Sequence, residues 1–370
     1  MAQNKLIFGV LSTLRHQDGL PFAGQSKPFA ELLTVARRRN VTAFVFTRED
    51  VDWQKCRVMG WDYNHNNAAG WRQRIFPLPT VVYNRIPNRV LESQPAMQEF
   101  LALLKAKYGP RFFNPGFLDK WETYRTLAGA KKTCCRLPET RPVTDPETIR
   151  QMLARYGDIY LKPRANSLGI GISRITKTPD GKLTCRTRQQ GKSDSAAQYQ
   201  TLEELLAALP PWQQEAPYLA QQTVKMARYL NRPFDIRLLA QKDRHGRWRK
   251  TGWAARVAAP GGITTHVIYG GDRLPVSQSL NKRRYTRLLA KANALAATVP
   301  AILEAAWQSS FGELEMDIAV DHSGELWLFE VNAKPFKFDE NLLRAKSLLR
   351  LIHYARYLAD SRPVIKGKRR

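Results

Sequence analysis

The chain has 370 residues, 43% of them apolar and 10% aromatic, and a net charge of +27. That length exceeds a usual single core, so two or three lobes are expected, and the apolar content excludes a disordered chain. The charge attracts anionic substrates or polyanions, but no helix-turn-helix, zinc-finger or RNP signature accompanies it, so no specific nucleic-acid partner is expected. "KLIFGVL" near the start reads as a short buried strand rather than a signal peptide, and the apolar runs fall short of a membrane span. A helix over "FAELLTVARRRN" and strands over "VTAFVFT" and "TVVYNRIPNR" follow, a spacing that favours a parallel sheet. No Gly-rich dinucleotide fingerprint follows the first strand. The four cysteines form no CxxC spacing and the six histidines no HxxxH group, so reduced thiols and no zinc site are expected.

"FFNPGFLDKWETY" opens a helix near Asp119, and "DPETIRQMLARYG" is a capped helix with Pro at its first turn and Gly at its end. In "DIYLKPRANSLGIGISRI" a strand delivers Lys162, then a loop carries Ser167, Gly169 and Gly171 before a strand resumes. Glycines let backbone amides approach a phosphate and Lys adds a point charge, although a plain hairpin gives the same pattern. It is not a Walker A motif, since it lacks GK[ST] and leads into a strand. "FDIRLLAQKDRHGRWRKTGWAARVA" reads as strand–turn–strand around His245-Gly246, with Asp235, Arg237 and Arg256 at inner positions. "RRYTRLLAKANALAATVPAILEAAW" supplies one or two core helices, and residues 362–370 a basic tail.

The most telling stretch is "ELEMDIAVDHSGELWLFEVNAKP". Its two apolar runs flank a Asp-His-Ser-Gly turn and predict a hairpin. Across that hairpin Asp317 and Glu330 would face each other, with Asn332 one pleat beyond Glu330. Two carboxylates forced together repel unless a cation or proton lies between them, and an oxygen-only set suits magnesium. A solvent-exposed face with chance acids is the alternative.

The ordered set Lys120, Lys162, the glycine turn, Asp235-x-Arg237, Arg256, Asp317 and Glu330-x-Asn332 resembles the ATP-grasp superfamily. "EDVDWQKCRVMGWDYN", "GWRQRIFPLPTVVYNRIPNR", "FFNPGFLDKWETY" and "LPET" further resemble the YheC/YheD family of endospore coat-associated proteins, over roughly residues 5–355. The resemblance implies an α/β (α+β) chain: an N-terminal α/β domain (1–110), then two ATP-grasp lobes (111–222 and 223–361) clasping ATP. By position, Lys120 and Lys162 would contact phosphates and Ser167, Gly169 and Gly171 would belong to a lid. The backbone of Gln221, Gln222, Thr223 and Val224 would read adenine, with Phe329 packed on the ring. Arg237 and Arg256 would face the transferred phosphoryl or acyl group. Asp317, Glu330 and Asn332 would hold one or two magnesium ions, with manganese the alternative. The implied activity is an ATP-dependent carboxylate–amine ligase working through an acyl phosphate on an anionic small molecule or peptide, in the cytoplasm or at the spore coat of a spore former. One departure stands out: residues 223–234 carry no acid where such proteins bind the ribose. A non-catalytic coat protein on the same scaffold, bound to coat components, is therefore the second reading. The sequence names neither the acyl donor nor the amine.

Overall fold

The computed structural model describes residues 6–64, 70–131, 134–164, 171–188, 195–208, 217–265, 267–335 and 341–361. Three sheets organise them. The first holds β1 (Ile7–Leu11), β2 (Thr42–Phe46), β3 (Val51–Asp52), β4 (Arg57–Tyr63), β5 (Trp71–Pro77), β6 (Val81–Asn84) and β7 (Phe112–Phe113). Their order is β3-β4-β2-β1-β6-β7, with β5 paired to β4. β1 runs parallel to both β2 and β6. Strands covered on both faces read as unbroken apolar runs, which is why these were legible. Helix α1 (Ser26–Arg38) packs Phe29, Leu32 and Leu33 with Phe8 and Val10 on one face. After β6 come α2 (Arg89–Glu92) and α3 (Pro95–Tyr108), and Phe100, Leu101 and Leu104 pack with Leu11 and Val82 on the other face. The sequence reading passed from "VTAFVFT" directly to "TVVYNRIPNR", but the β4–β5 hairpin intervenes and pairs antiparallel onto β2. Its exposed Arg72 and Arg74 break the apolar pattern that would have marked a strand.

The second sheet is antiparallel: β8 (Thr140–Pro142), β9 (Asp158–Pro163), β10 (Ser173–Lys177), β11 (Leu183–Thr187), β12 (Ser195–Tyr199) and β13 (Tyr218–Gln222). It follows α4 (Lys120–Ala128), and its core is closed by α5 (Pro146–Tyr156) and α6 (Leu202–Ala208). Asp145 caps α5 by accepting from Thr148 N at 2.9 Å, and Gly157 ends it at φ 67°, a left-handed position that favours glycine.

The third sheet contains β14 (Arg228–Tyr229), β15 (Arg232–Lys242), β16 (Trp248–Val257), β17 (Asp272–Leu274), β18 (Glu313–Val320) and β19 (Leu326–Asn332). Between its strands come α7 (Val276–Ser279) and α8 (Lys282–Trp307); α9 (Asn341–Asp360) closes the described chain. In β15 the alternation is decisive. Phe234, Ile236 and Leu238 pack with Leu295, Val299 and Leu303 of α8, so Asp235 and Arg237 project from the opposite face. At 26 residues α8 is a single helix, long and apolar enough to cross a bilayer by length and composition; here its apolar face lies in this core.

Two devices fix the first sheet to the third. Asn114, fully buried and at φ 54°, donates Nδ2 to the carbonyls of Glu313 (2.8 Å) and Ala333 (2.5 Å) and accepts at Oδ1 from Gly312 N (2.8 Å). Asn tolerates that backbone better than other non-glycine residues, and its amide satisfies groups that would otherwise be buried unpaired. Lys334, two residues past Asn332, is buried against Glu92 and also donates to Asn84 Oδ1 (3.1 Å) and Ile86 O (3.3 Å). The segment after β19 is thereby locked to the loop after β6.

Candidate functional site

The floor of the site is the face of β15, β16, β18 and β19 opposite α8. Register pairs Asp235 with Arg256, Arg237 with Asp317, Asp317 with Glu330, and Glu315 with Asn332. The expected cross-hairpin facing of Asp317 and Glu330 is therefore present. The two arginines are bound to carboxylates rather than open to the cleft. Arg256, only 3% exposed, holds Asp235 through Nε (2.8 Å) and Nη2 (2.5 Å), and its Nη2 reaches Asp317 Oδ2 at 3.0 Å. Arg237 grips Asp317 with Nε and Nη2, both at 3.2 Å, and its Nε lies 3.2 Å from Glu315. Burial works against the Arg256 charge, but Asp235 and Asp317 hold its guanidinium charged well above the ordinary value. Burial pushes the Glu315 carboxyl up to about 7 against the pull of Arg237.

A bulge in the β18–β19 ladder passes from Asp317–Glu330 to Ile318–Leu328, leaving Phe329 as the extra residue. Neighbours in a regular strand face opposite sides, but the bulge lets Phe329 and Glu330 both line the same cavity. Above them comes β9, whose alternation places Asp158, Tyr160 and Lys162 in that wall. The Lys162 ammonium donates to Gln221 Oε1 and lies 5.5 Å from the ring centres of both Phe329 and Tyr160. Burial lowers its pKa to about 8, although Glu330 nearby supports the charge. Lys120 is the first residue of α4, capped by Asp119, and its Nζ lies 3.3 Å from Pro163 O and 3.9 Å from Glu330.

The cavity between the second and third sheets measures about 400 Å³. Of the residues singled out from the sequence, Arg237, Asn332 and Gly171 are not in its wall, and Ser167 and Gly169 lie outside the described residues, as does the basic tail. Gly171 has φ +76° and donates its N–H to Arg188 O at 3.1 Å. At the edge meant to read a base, Gln222 N donates to Glu139 O (2.8 Å) and Thr223 N to Asp158 O (3.3 Å). Backbone donors to a base must therefore come from Val224 onward. Beyond it Lys225 and Arg228 line the cavity, in a stretch that carries no acid.

Several further residues take part in the site. Asp158 in the wall is visible in the alternation of "DIYLKP", and Glu315, beside Arg237 in the floor, in that of "ELEMD". Thr265, which donates to Asp235 Oδ2 at 2.6 Å, comes from a stretch with no period, and His322 from a turn. Neither had a signal. Among the described residues no group of three or more His, Cys, Asp or Glu is arranged to hold a metal. Asp317 and Glu330 in the wall nevertheless offer the carboxylate oxygens that suit magnesium, which takes few protein ligands and completes its shell with phosphate and water, while Asn332 stands outside the wall.

Lys162 gives a measurable expectation. With its pKa about 8, the ammonium is mostly charged at pH 7 and mostly neutral at pH 9.5. Affinity for a nucleotide triphosphate is expected to fall several-fold over that interval, and binding near pH 8.5 to take up a proton as the phosphates restore the charge. Calorimetry in buffers of different ionisation enthalpy reads the uptake, and Lys162→Met should remove both effects. The stability sign is opposite: this lysine binds fewer protons folded than unfolded between about 8 and its ordinary 10.5, so its unfavourable contribution fades as pH rises through that window.

A charged, oxygen-rich cleft between two antiparallel sheets, with lysines above and carboxylates below, defines an ATP-grasp protein. The family model for YheC/D-like ATP-grasp matches residues 109–358, and the chain belongs to that family. It is 30% identical over 346 residues to the endospore coat-associated protein YheD of Bacillus subtilis strain 168, covering 92% of this chain and 76% of that protein. Among solved structures it is similar in fold to the D-Ala:D-Ser ligase VanG of Enterococcus faecalis (TM-score 0.53, 10% identity, 96% of this chain and 99% of that one). It is likewise similar to the ATP-grasp ligase PsnB complexed with minimal precursor, Mg and ADP (TM-score 0.50, 15% identity, 95% and 98%).

Proposed function

We propose that this chain is an ATP- and magnesium-dependent carboxylate–amine ligase, working in the cytoplasm of a sporulating cell or at its spore coat. The observation that carries this reading is the convergence of Lys120, Lys162, Asp317 and Glu330 on one cavity between two sheets. The endospore coat association named for YheD supports the setting. On this reading residues 1–110 form an N-terminal domain and 111–222 and 223–361 the two lobes. Phe329 and Tyr160 offer ring faces to the base, and Lys120 and Lys162 meet the phosphates. Asp317, Glu330 and Asn332 would hold the metal, whose chemistry is to neutralise charge on the phosphates. Arg237 and Arg256 set the position of Asp317. A substrate carboxylate oxygen attacks the γ-phosphorus and ADP leaves. The amine nitrogen then attacks the acyl carbon, phosphate leaves, and the nitrogen gives up a proton. Such chemistry needs positioning and positive charge rather than a protein nucleophile.

The second reading, a non-catalytic scaffold, is favoured by the cations Lys225 and Arg228 at the ribose end. A screen of the full chain with ATP, magnesium, carboxylic acids and amines separates the two. The ligase requires ADP release that depends on both an acid and an amine. Thermal stabilisation by ATP–magnesium, about 2.7 kcal/mol at a hundredfold excess over Kd, without ADP release would leave a nucleotide-binding scaffold.

A further inference from the structure

A second concave surface, sharing no residue with the nucleotide cavity, lies between the turn joining β15 to β16 and the carboxyl half of α9. A hollow of about 490 Å³ there is lined by Arg244, His353, Arg356, Tyr357, Asp360 and Ser361. The turn is pressed onto the helix. A Cβ on Gly246 would meet the Tyr357 ring at 2.5 Å, and glycine suits both that approach and the local φ of +71°. Further along, β16 and α9 stay in contact: Arg350 Nη1 donates to Thr251 Oγ1 at 2.7 Å, and a Cβ on Gly252 would meet Leu343 at 3.0 Å. Spacings of three and four residues bring Leu342, Lys346, Arg350, His353 and Tyr357 into one row on α9.

The charge of this surface is one-sided. α9 contributes Lys346, Arg350 and Arg356, the β15–β16 hairpin contributes Arg244, Arg249 and Lys250, and Arg39 stands at the end of α1. Among the described residues only Arg249 of these is ion-paired, at 3.3 Å to Asp243, a carboxylate that also accepts from the N–H groups of His245 and Arg247. Other guanidinium groups are anchored to neutral acceptors: Arg356 to Arg39 O, Arg244 Nε to His245 Nε2 at 3.0 Å, and Arg350 to Thr251. A guanidinium has five N–H donors, so such anchoring fixes the side chain and keeps donors for a ligand. The crowding shows in the titrating groups. Burial, then Arg39, Arg356 and Arg244, hold His353 below its ordinary 6.5, and burial with Lys346 and Arg350 holds Lys250 below 10.5.

We propose that this trough docks an acidic peptide segment of a partner protein, a run of carboxylates flanked by apolar side chains, whether or not the cleft turns over ATP. Charge complementarity calls for an anion. The apolar side chains of the row decide its kind. Leu342 is 87% exposed and Tyr357 39%, one at each end of the cations on α9, and a chain of phosphates would leave both in water. Aromatic and Arg side chains together are what protein interfaces favour. The helix rise puts Leu342 and Tyr357 about 22 Å apart, the span of about seven extended residues. A segment of that length sets its carboxylates against Lys346, Arg350 and Arg356, the arginines gripping in two-pronged fashion, and its apolar ends against Leu342 and Tyr357.

The full chain is titrated with a labelled peptide carrying a run of glutamates between two leucines, read by fluorescence anisotropy. The same peptide with serine for leucine, inorganic polyphosphate and single-stranded DNA, all of matching charge, are the comparisons. The leucine-flanked peptide should bind best, more weakly as salt rises, and slow hydrogen exchange in residues 243–250 and 342–361. ATP–magnesium should not displace it. Lys346→Gln with Arg356→Gln removes two exposed charge contacts and should weaken it roughly tenfold. Leu342→Ser should weaken the leucine-flanked peptide several-fold and leave the serine-flanked one unchanged. All three side chains are exposed, so these variants should melt as the parent. No peptide binding, protection elsewhere, displacement by ATP–magnesium, or unchanged affinity in the charge variant would overturn the site. Polyphosphate or DNA binding more tightly than the peptide, or a serine-flanked peptide binding as well as the leucine-flanked one, would overturn the occupant.

Discussion

Glu330→Gln is expected to lower ADP release by about 10²- to 10³-fold, the scale on which one group facing developing charge acts, while the fold survives. The side chain is 31% exposed, and its Lys120 contact, at 3.9 Å, is a loose ion pair. Losing that contact changes stability by about 1 kcal/mol or less. The functional loss is of another order. Glutamine keeps the shape, but the pair facing Asp317 across the hairpin then offers one charge instead of two, and a hard cation binds such a pair mainly by charge. Lys162 also loses the carboxylate that supports its ammonium, so its pKa should fall further below about 8. Asn332→Ala, which removes a neutral donor, should do less. Titrating ATP with and without magnesium into Glu330→Gln decides the matter. Unchanged magnesium-dependent binding and turnover would remove Glu330 from the metal set.

The sequence made faces legible and left partners obscure. Alternation in "MDIAV" and "LWLFEV" was enough to predict the hairpin and bring Asp317 near Glu330, but the turn's own register continues to Asp317 against Phe329, and the bulge is what sets Glu330 opposite. It could not show that Phe329 and Glu330 share a side, since that depends on a bulge within the ladder to β18. Nor could it show that Arg256 holds Asp235, 21 residues back, together with Asp317 on a more distant strand: a strand pattern tells which side chains face inward, not which counterion a neighbouring strand supplies. The β4–β5 hairpin was missed because it is covered on one face only, and its outward arginines hid the period.

Arg256→Met tests whether that arginine touches the transferred group or holds the floor together. It is 3% exposed, between Asp235 at 5% and Asp317 at 6%. Removing one member of a buried ion-pair network leaves charges that water cannot reach, and the expected loss is about 3–5 kcal/mol. Arg237 cannot compensate fully, because its guanidinium already serves Asp317 and Glu315. The loss should also depend on pH. Glu315 is held near 7 partly because Arg256 opposes its burial, so without Arg256 it should rise further. A carboxyl raised in the folded state keeps a proton that the unfolded chain releases above its ordinary value of 4.5, so stability falls as pH climbs from there through the folded pKa. In the variant that window reaches higher, and the deficit against the parent should be larger at pH 8 than at pH 5. Urea unfolding at the two pH values measures both quantities. Arg256→Lys should recover part of the loss, since an ammonium restores the charge but not the two-pronged grip on Asp235. A normally stable Arg256→Met that has lost only turnover would mean the guanidinium leaves its carboxylates to meet the substrate, and the structural role would pass to Arg237 alone.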